Sequence, residues 1–163
     1  GYLQLARMPR PKIQVCDLNT LVTDFIAMSR PEFKNNNIEI VLQLSSESPL
    51  TRSDPGQVRQ ALLNVVRNSM EAMPKGGTIQ VETALTDTDC TIIIADEGPG
   101  IPEVEIHRVF EPFYSTKSSG TGLGLSLTQQ ILSDHGGQIM VEAKPSSGTR
   151  VSLLLPRLTE GMN

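Results

Sequence analysis

Tryptophan is missing from the 163-residue sequence, and aromatic residues make up only 4% of it. A hydrophobic core must therefore be built from Leu, Ile, Val and Met. Cysteine is nearly as scarce, with Cys16 and Cys90 far apart in the chain. Two such residues make no disulfide framework; they fit a reduced, cytosolic setting and fall in strand-like stretches as small core residues. Basic residues do not dominate: 14 Lys and Arg stand against 18 Asp and Glu, a formal charge of −4. That balance lacks the basic face a nucleic-acid partner requires. No apolar run approaches the roughly 18 residues of a membrane span, so no membrane contact is expected. The length suits one domain with a real core. The sequence opens Gly1-Tyr2 rather than with Met, and reads as an excised piece of something longer.

What is present is a mixed order of elements. Tyr2 to Met8 has helix-forming composition and stops at Pro9 and Pro11. Lys12 to Cys16 alternates like a short strand. Asp17 or Asn19 caps a helix to about Arg30, with Leu18, Leu21, Val22, Phe25 and Ile26 on one face. Ile38, Ile40, Leu42 and Leu44 alternate as a half-buried strand. Asp54 then caps a second helix with Pro55 at its first position, and Val58, Ala61, Leu62, Val65, Val66, Ser69 and Met73 form its inward stripe. Strands are expected over Thr78–Leu85, Cys90–Ala95, Gln138–Ala143 and Arg150–Leu155, and a helix from Leu123 to about Asp134. Hairpins mixed with helices indicate an α+β fold rather than regular βαβ alternation.

Four segments could carry chemistry. On the second helix, Gln60, Asn64, Asn68 and Glu71 recur opposite the apolar stripe. Asn64 and Asn68 are four residues apart, so their amides lie on one face a turn apart. Such a face is either simply solvated or a source of hard neutral oxygens for Mg²⁺. Asp96-Glu97-Gly98-Pro99-Gly100 follows a buried strand. It is either a plain Asp/Gly turn or a carboxylate that accepts from a ligand amine, with glycines that admit a flat ring. Gly120-Thr121-Gly122-Leu123-Gly124-Leu125 opens a helix, where bare N–H groups favour an anion. It lacks the Lys-Ser/Thr of a Walker loop and the preceding strand of a dinucleotide fingerprint. Between them, Phe110-Glu111-Pro112-Phe113-Tyr114-Ser115-Thr116-Lys117 could anchor a polar segment by its Phe residues and extend a lysine toward a phosphate.

Taken in order, these segments resemble the catalytic ATP-binding domain of two-component sensor histidine kinases. The wider family includes gyrase, the ninety-kilodalton heat-shock chaperone and the MutL repair proteins. The resemblance runs from about Val15 to Pro156, and the string Glu111 to Lys117 followed by Gly120 to Leu125 is similar to the nitrogen-regulation branch. His135-Gly136-Gly137 and Gly148-Thr149 match as well. The resemblance implies a two-layer α/β sandwich of the Bergerat type, a mixed sheet of about five strands covered on one face by about three helices. It implies residues 1–11 as the end of an upstream dimerisation helix with its linker, 12–158 as the ATP-binding domain and 159–163 as a tail.

The same resemblance implies roles. Asn68 would ligate Mg²⁺, and Asn64 would support the phosphates of ATP. Asp96 would bind the adenine amine, with Gly98 and Gly100 shaping that pocket and Thr149 lining it. Gly120, Thr121, Gly122, Leu123, Gly124 and Leu125 would close on the phosphates through their N–H groups. A lid from about Glu103 to Ser119 would carry Lys117 to the terminal phosphate, completing a catalytic set with Asn64 and Asn68. Glu71 stands where many such kinases have a phosphate-binding lysine, which shifts weight to Lys117 or Arg67. The phosphoaccepting histidine would sit on a separate dimerisation domain, in a His-Glu/Asp context that neither His107 nor His135 has, and a response regulator would be the indirect partner. Alternatives are an ATPase or serine kinase of the same superfamily, or a degenerate nucleotide-binding interaction module. Hydrolytic members place a Glu base where Asn64 stands here.

Overall fold

A computed structural model describes residues 9–100, 108–111, 123–143 and 148–159. In chain order the elements are β1 (Gln14–Asp17), α1 (Leu18–Asn35), β2 (Ile38–Gln43), β3 (Leu50–Ser53), α2 (Pro55–Ala72), β4 (Gly77–Leu85), β5 (Asp89–Asp96), α3 (Leu123–Asp134), β6 (Gln138–Ala143) and β7 (Thr149–Pro156). Five strands form one mixed sheet in the order β2-β4-β5-β7-β6. The β2–β4 pair is parallel and the others are antiparallel.

Alternation along the strands shows which face the helices cover. Ile79, Val81 and Thr83 of β4, Cys90, Ile92 and Ile94 of β5, and Val151, Leu153 and Leu155 of β7 are all buried. The residues between them, such as Gln80, Glu82, Thr91 and Ser152, are exposed or half-buried. A strand's side chains alternate between faces, so one face of the sheet meets the helices and the other meets solvent. The helices answer with Leu21, Val22, Phe25 and Ile26 of α1, Leu62, Val65 and Val66 of α2, and Ile131 and Leu132 of α3. The expected sandwich of five strands under three helices is what forms. No helix of the described residues is long and apolar enough to cross a membrane.

Two features depart from the expected element order. α1 does not stop near Arg30 but runs through Pro31 to Asn35. Phe33, buried beyond the proline, packs edge-on against Phe25 with centroids 6.4 Å apart, which holds the last turn in place. β3 was not expected at all; it pairs antiparallel with β1 in a separate two-stranded sheet.

The ends of α2 and α3 are tied together. Asp54 caps α2 by accepting from the N–H groups of Gly56 (2.9 Å) and Gln57 (3.2 Å). Its own N–H donates to Nε2 of His135 at 3.1 Å, across 81 residues of sequence. α3 ends at His135 in a Schellman turn. Gly136 takes the left-handed conformation at φ 73°, and the Gly137 N–H reaches back to Leu132 O at 2.8 Å. A side chain on Gly137 has no room, because its Cβ would lie 2.0 Å from Leu154 O.

Candidate functional site

The polar flank of α2 carries Asn64, Asn68 and Ala72 at successive four-residue intervals, about 6 Å apart along the axis. Ala72 closes the row against the loop after β5, since a Cβ built on Gly98 would lie 2.9 Å from the Ala72 Cβ. The row therefore leads from Gly98 back past Asn68 to Asn64. Gln60, one turn earlier, donates from Nε2 to Asn64 Oδ1 at 3.0 Å. The Nδ2 of Asn64 and the Oε1 of Gln57 are buried and have no hydrogen-bond partner among the described residues. Glu71 is exposed. Arg67 turns to α1, where its Nε lies 3.5 Å from Glu32 Oε1.

At the end of β5, Asp96 is only 4% exposed. Its Oδ1 accepts from the Gly98 N–H at 2.9 Å, an Asx turn that folds the loop beneath the carboxylate. Gly100 has φ +79°, and its missing Cβ would stand 2.9 Å from Gly148 O. That approach joins the loop after β5 to the entry of β7. Ala95 pairs with Arg150 in the antiparallel register, so one further step sets Asp96 opposite Thr149. Asp96, Gly98 and Gly100, read from one motif, and Thr149, read from another, thus lie together at one end of the sheet beside α2.

α3 begins at Leu123, with Gly124 and Leu125 in its first turn. Leu125 is buried in the core. Because α3 is about 18 Å long and ends on the cap of α2, its start lies at the level of Asn64 to Asn68. Lys117, Gly120, Thr121 and Gly122 lie outside the described residues, as do His107 and most of the expected lid. In the short turn Arg108–Glu111, Phe110 packs against the core as its sequence position suggested. The fully buried anchor there is Val109, which sequence reasoning passed over.

Electrostatics separate structural from chemical groups. Burial raises the Asp54 carboxyl, but the N–H groups of Lys12, Gln57 and Gly56 outweigh it and hold the acid below its usual range. Burial pushes the Cys90 thiol up to about 11 and also raises Cys16, so neither is a thiolate nucleophile near neutral pH. His135 engages both ring nitrogens, Nδ1 with Ile131 O at 2.7 Å and Nε2 with the Asp54 N–H. It is a buried tie, as expected of a histidine outside an acceptor motif. Among the described residues no three His, Cys, Asp or Glu side chains converge on a metal site. A cation here would draw on amide oxygen and on oxygens brought by its ligand.

Asn64 Nδ2 is a buried donor without a partner among the described residues, and Asp96 is a recessed carboxylate at the end of β5. The Gly148 backbone, on which Gly100 rests, is not legible in the sequence beyond the fact that both positions are glycine, and both take a positive φ.

Comparison with known proteins bears on the family and the fold. Residues 53–159 match the family model described as histidine kinase-, DNA gyrase B-, and HSP90-like ATPase. Sporulation kinase E of Bacillus subtilis is 34% identical over 156 residues, covering 95% of this chain and 21% of the relative. The sensor histidine kinase ZraS of Escherichia coli K12 is 30% identical, covering 94% of this chain and 33% of the relative. The chain thus spans a fifth to a third of the length of these relatives, and they do not single out the nitrogen-regulation branch. Among solved structures, the catalytic domain of histidine kinase ThkA superposes with a TM-score of 0.82 at 28% identity, covering 90% of this chain and 96% of that one. This chain belongs to the histidine kinase-, DNA gyrase B- and HSP90-like ATPase family and has the fold of a histidine kinase catalytic domain.

Proposed function

We propose that this chain binds Mg-ATP and donates the γ-phosphoryl group to a histidine carried on another domain of a sensor histidine kinase. The observation that supports this reading is the close approach of Ala72 to Gly98, which sets the loop after the buried Asp96 against the Asn64–Asn68 row. Asp96 accepts from the adenine amine, and Gly98, Gly100 and Thr149 shape the space for the ring. Asn64 donates from Nδ2 to a phosphate oxygen, and Asn68 holds the metal through Oδ1. The bound Mg²⁺ supplies neutralisation of phosphate charge. The N–H groups from Gly120 to Leu125 meet the phosphates at the start of α3, and Lys117 serves the γ-phosphate in place of the lysine that Glu71 replaces. An imidazole nitrogen from outside residues 12–158 forms the new bond to phosphorus, and the bond to the β,γ-bridging oxygen breaks, leaving ADP. Residues 1–11 form the link to that dimerisation domain, and a response regulator receives the group next.

The reading is supported by the names of the relatives, which are sporulation and sensor histidine kinases. A hydrolytic role is disfavoured by Asn64, which cannot take a proton from water as a carboxylate does. Calorimetry should find Mg-ATP binding that Asp96→Ala abolishes, while the isolated chain incubated with radiolabelled ATP stays unlabelled. Undiminished affinity in Asp96→Ala, or strong self-labelling, would overturn the proposal.

A further inference from the structure

We propose that Gln60 is a positioning residue that decides which atom of Asn64 faces the nucleotide, an inference that rests on the function just proposed. A side-chain amide has an acceptor end and a donor end, and a half-turn about its last bond exchanges them. Facing phosphate, the donor end attracts and the acceptor end repels. Nothing in Asn64 itself selects between the two.

The end that Gln60, itself an amide one turn earlier on α2, presents to Asn64 makes the selection. Gln60 Nε2 donates to Asn64 Oδ1 at 3.0 Å, which occupies the acceptor end. Nδ2 is then left buried and without a partner among the described residues. A buried NH₂ group in that state carries a desolvation penalty, and a phosphate oxygen or its water would remove it on binding. Asn68 has no such Gln donor one turn before it, because Asn64 itself stands there. With the Gln60 donor presented as here, Asn64 turns its own donor to phosphate and Asn68 keeps its oxygen for the metal.

Gln60 can do this without serving the core. It is exposed and forms part of the wall of a groove of about 490 Å³ between α1 and α2, with Met28, Arg59, Leu63 and Arg67. An amide pair spaced i, i+4 contributes little to the stability of a helix. Losing it should leave stability almost unchanged while loosening the orientation of Asn64.

The test is a double-mutant cycle on Mg-ATP affinity, read by calorimetry beside the melting temperature of each variant. Gln60→Leu should weaken binding about tenfold, the loss of one well-aimed hydrogen bond to a charged group, with a melting shift under about 2 °C. Gln60→Glu, which can only accept, should turn Asn64 Oδ1 toward the phosphates and bind no better than Gln60→Leu. Gln60→Lys, which can only donate, should restore most of the affinity. In an Asn64→Ala background, Gln60→Leu should change affinity less than about twofold, because its effect acts through Asn64. Full affinity in Gln60→Leu, or an undiminished Gln60→Leu effect in the Asn64→Ala background, would overturn the assignment while leaving ATP binding intact. Absence of Mg-ATP binding by the unmodified protein would overturn both this inference and its parent.

Discussion

Replacing His135 by leucine tests whether the two helices that frame the cleft are tied where they meet. Leucine is of similar bulk and apolar, so the change removes polar contacts without opening a large void. Two side-chain hydrogen bonds disappear, and their consequences differ. Ile131 O loses Nδ1 but keeps the backbone N–H of His135 at 3.2 Å, so it remains satisfied. The Asp54 N–H loses its acceptor, Nε2. The first loss amounts to about 0.5–1.5 kcal/mol, and stranding a part-buried donor adds about 1 kcal/mol, the low end of the usual range. A total of about 2 kcal/mol corresponds to roughly 4–8 °C in melting temperature for a domain of this size. Urea unfolding at pH 7 measures the loss. His135→Gln, whose amide oxygen can approach the Asp54 N–H, should recover part of it. A loss below about 0.5 kcal/mol in the leucine variant would refute the reasoning, because the Asp54 N–H would then be served as well by water.

Two other outcomes follow from the same geometry. Asp54 titrates below its usual range in the folded protein, so its charge stabilises the fold above the unfolded value near pH 4 and that contribution fades as acid protonates it. The stability gap between the wild type and Asp54→Asn should therefore shrink from pH 7 to pH 3 in urea titrations; a gap that stays constant would contradict the capping account. Gly100→Ala forces a side chain into φ +79° and within 2.9 Å of Gly148 O, which should cost about 1–3 kcal/mol and weaken nucleotide binding. Unchanged stability and affinity would show that Gly100 and Gly148 need not touch.

Much of this was readable in the chain before its structure. The four-residue spacing of Asn64 and Asn68 fixes them on one flank whatever surrounds the helix, and the inward stripe from Val58 to Met73 is buried as read. β3 escaped notice for a physical reason. Its inward residues are Thr51 and Ser53, fully buried, and their hydroxyls satisfy each other at 2.8 Å. A strand that buries a paired set of hydroxyls shows no hydrophobic alternation. α1 continues past Pro31, the usual helix breaker, with Phe33 packed on Phe25 two turns earlier in the same helix. The orientation of the Asn64 amide and the Asp54–His135 bond are likewise properties of atoms meeting in space, and no periodicity encodes them.

The Asp54–His135 bond works like the pivot of a pair of compasses. One leg is α2, running ten residues or about 15 Å from Asp54 to Asn64; the other is α3, twelve residues or about 18 Å back from His135 to Leu123. One tip carries the amides and the other the glycine-rich entry to α3. Opening the legs by about 4° parts the tips by about 1 Å, and a misplacement of that size can cost about a hundredfold in rate. A hydrogen bond at the far end of the helices thus sets the gap between the asparagines of α2 and the start of α3.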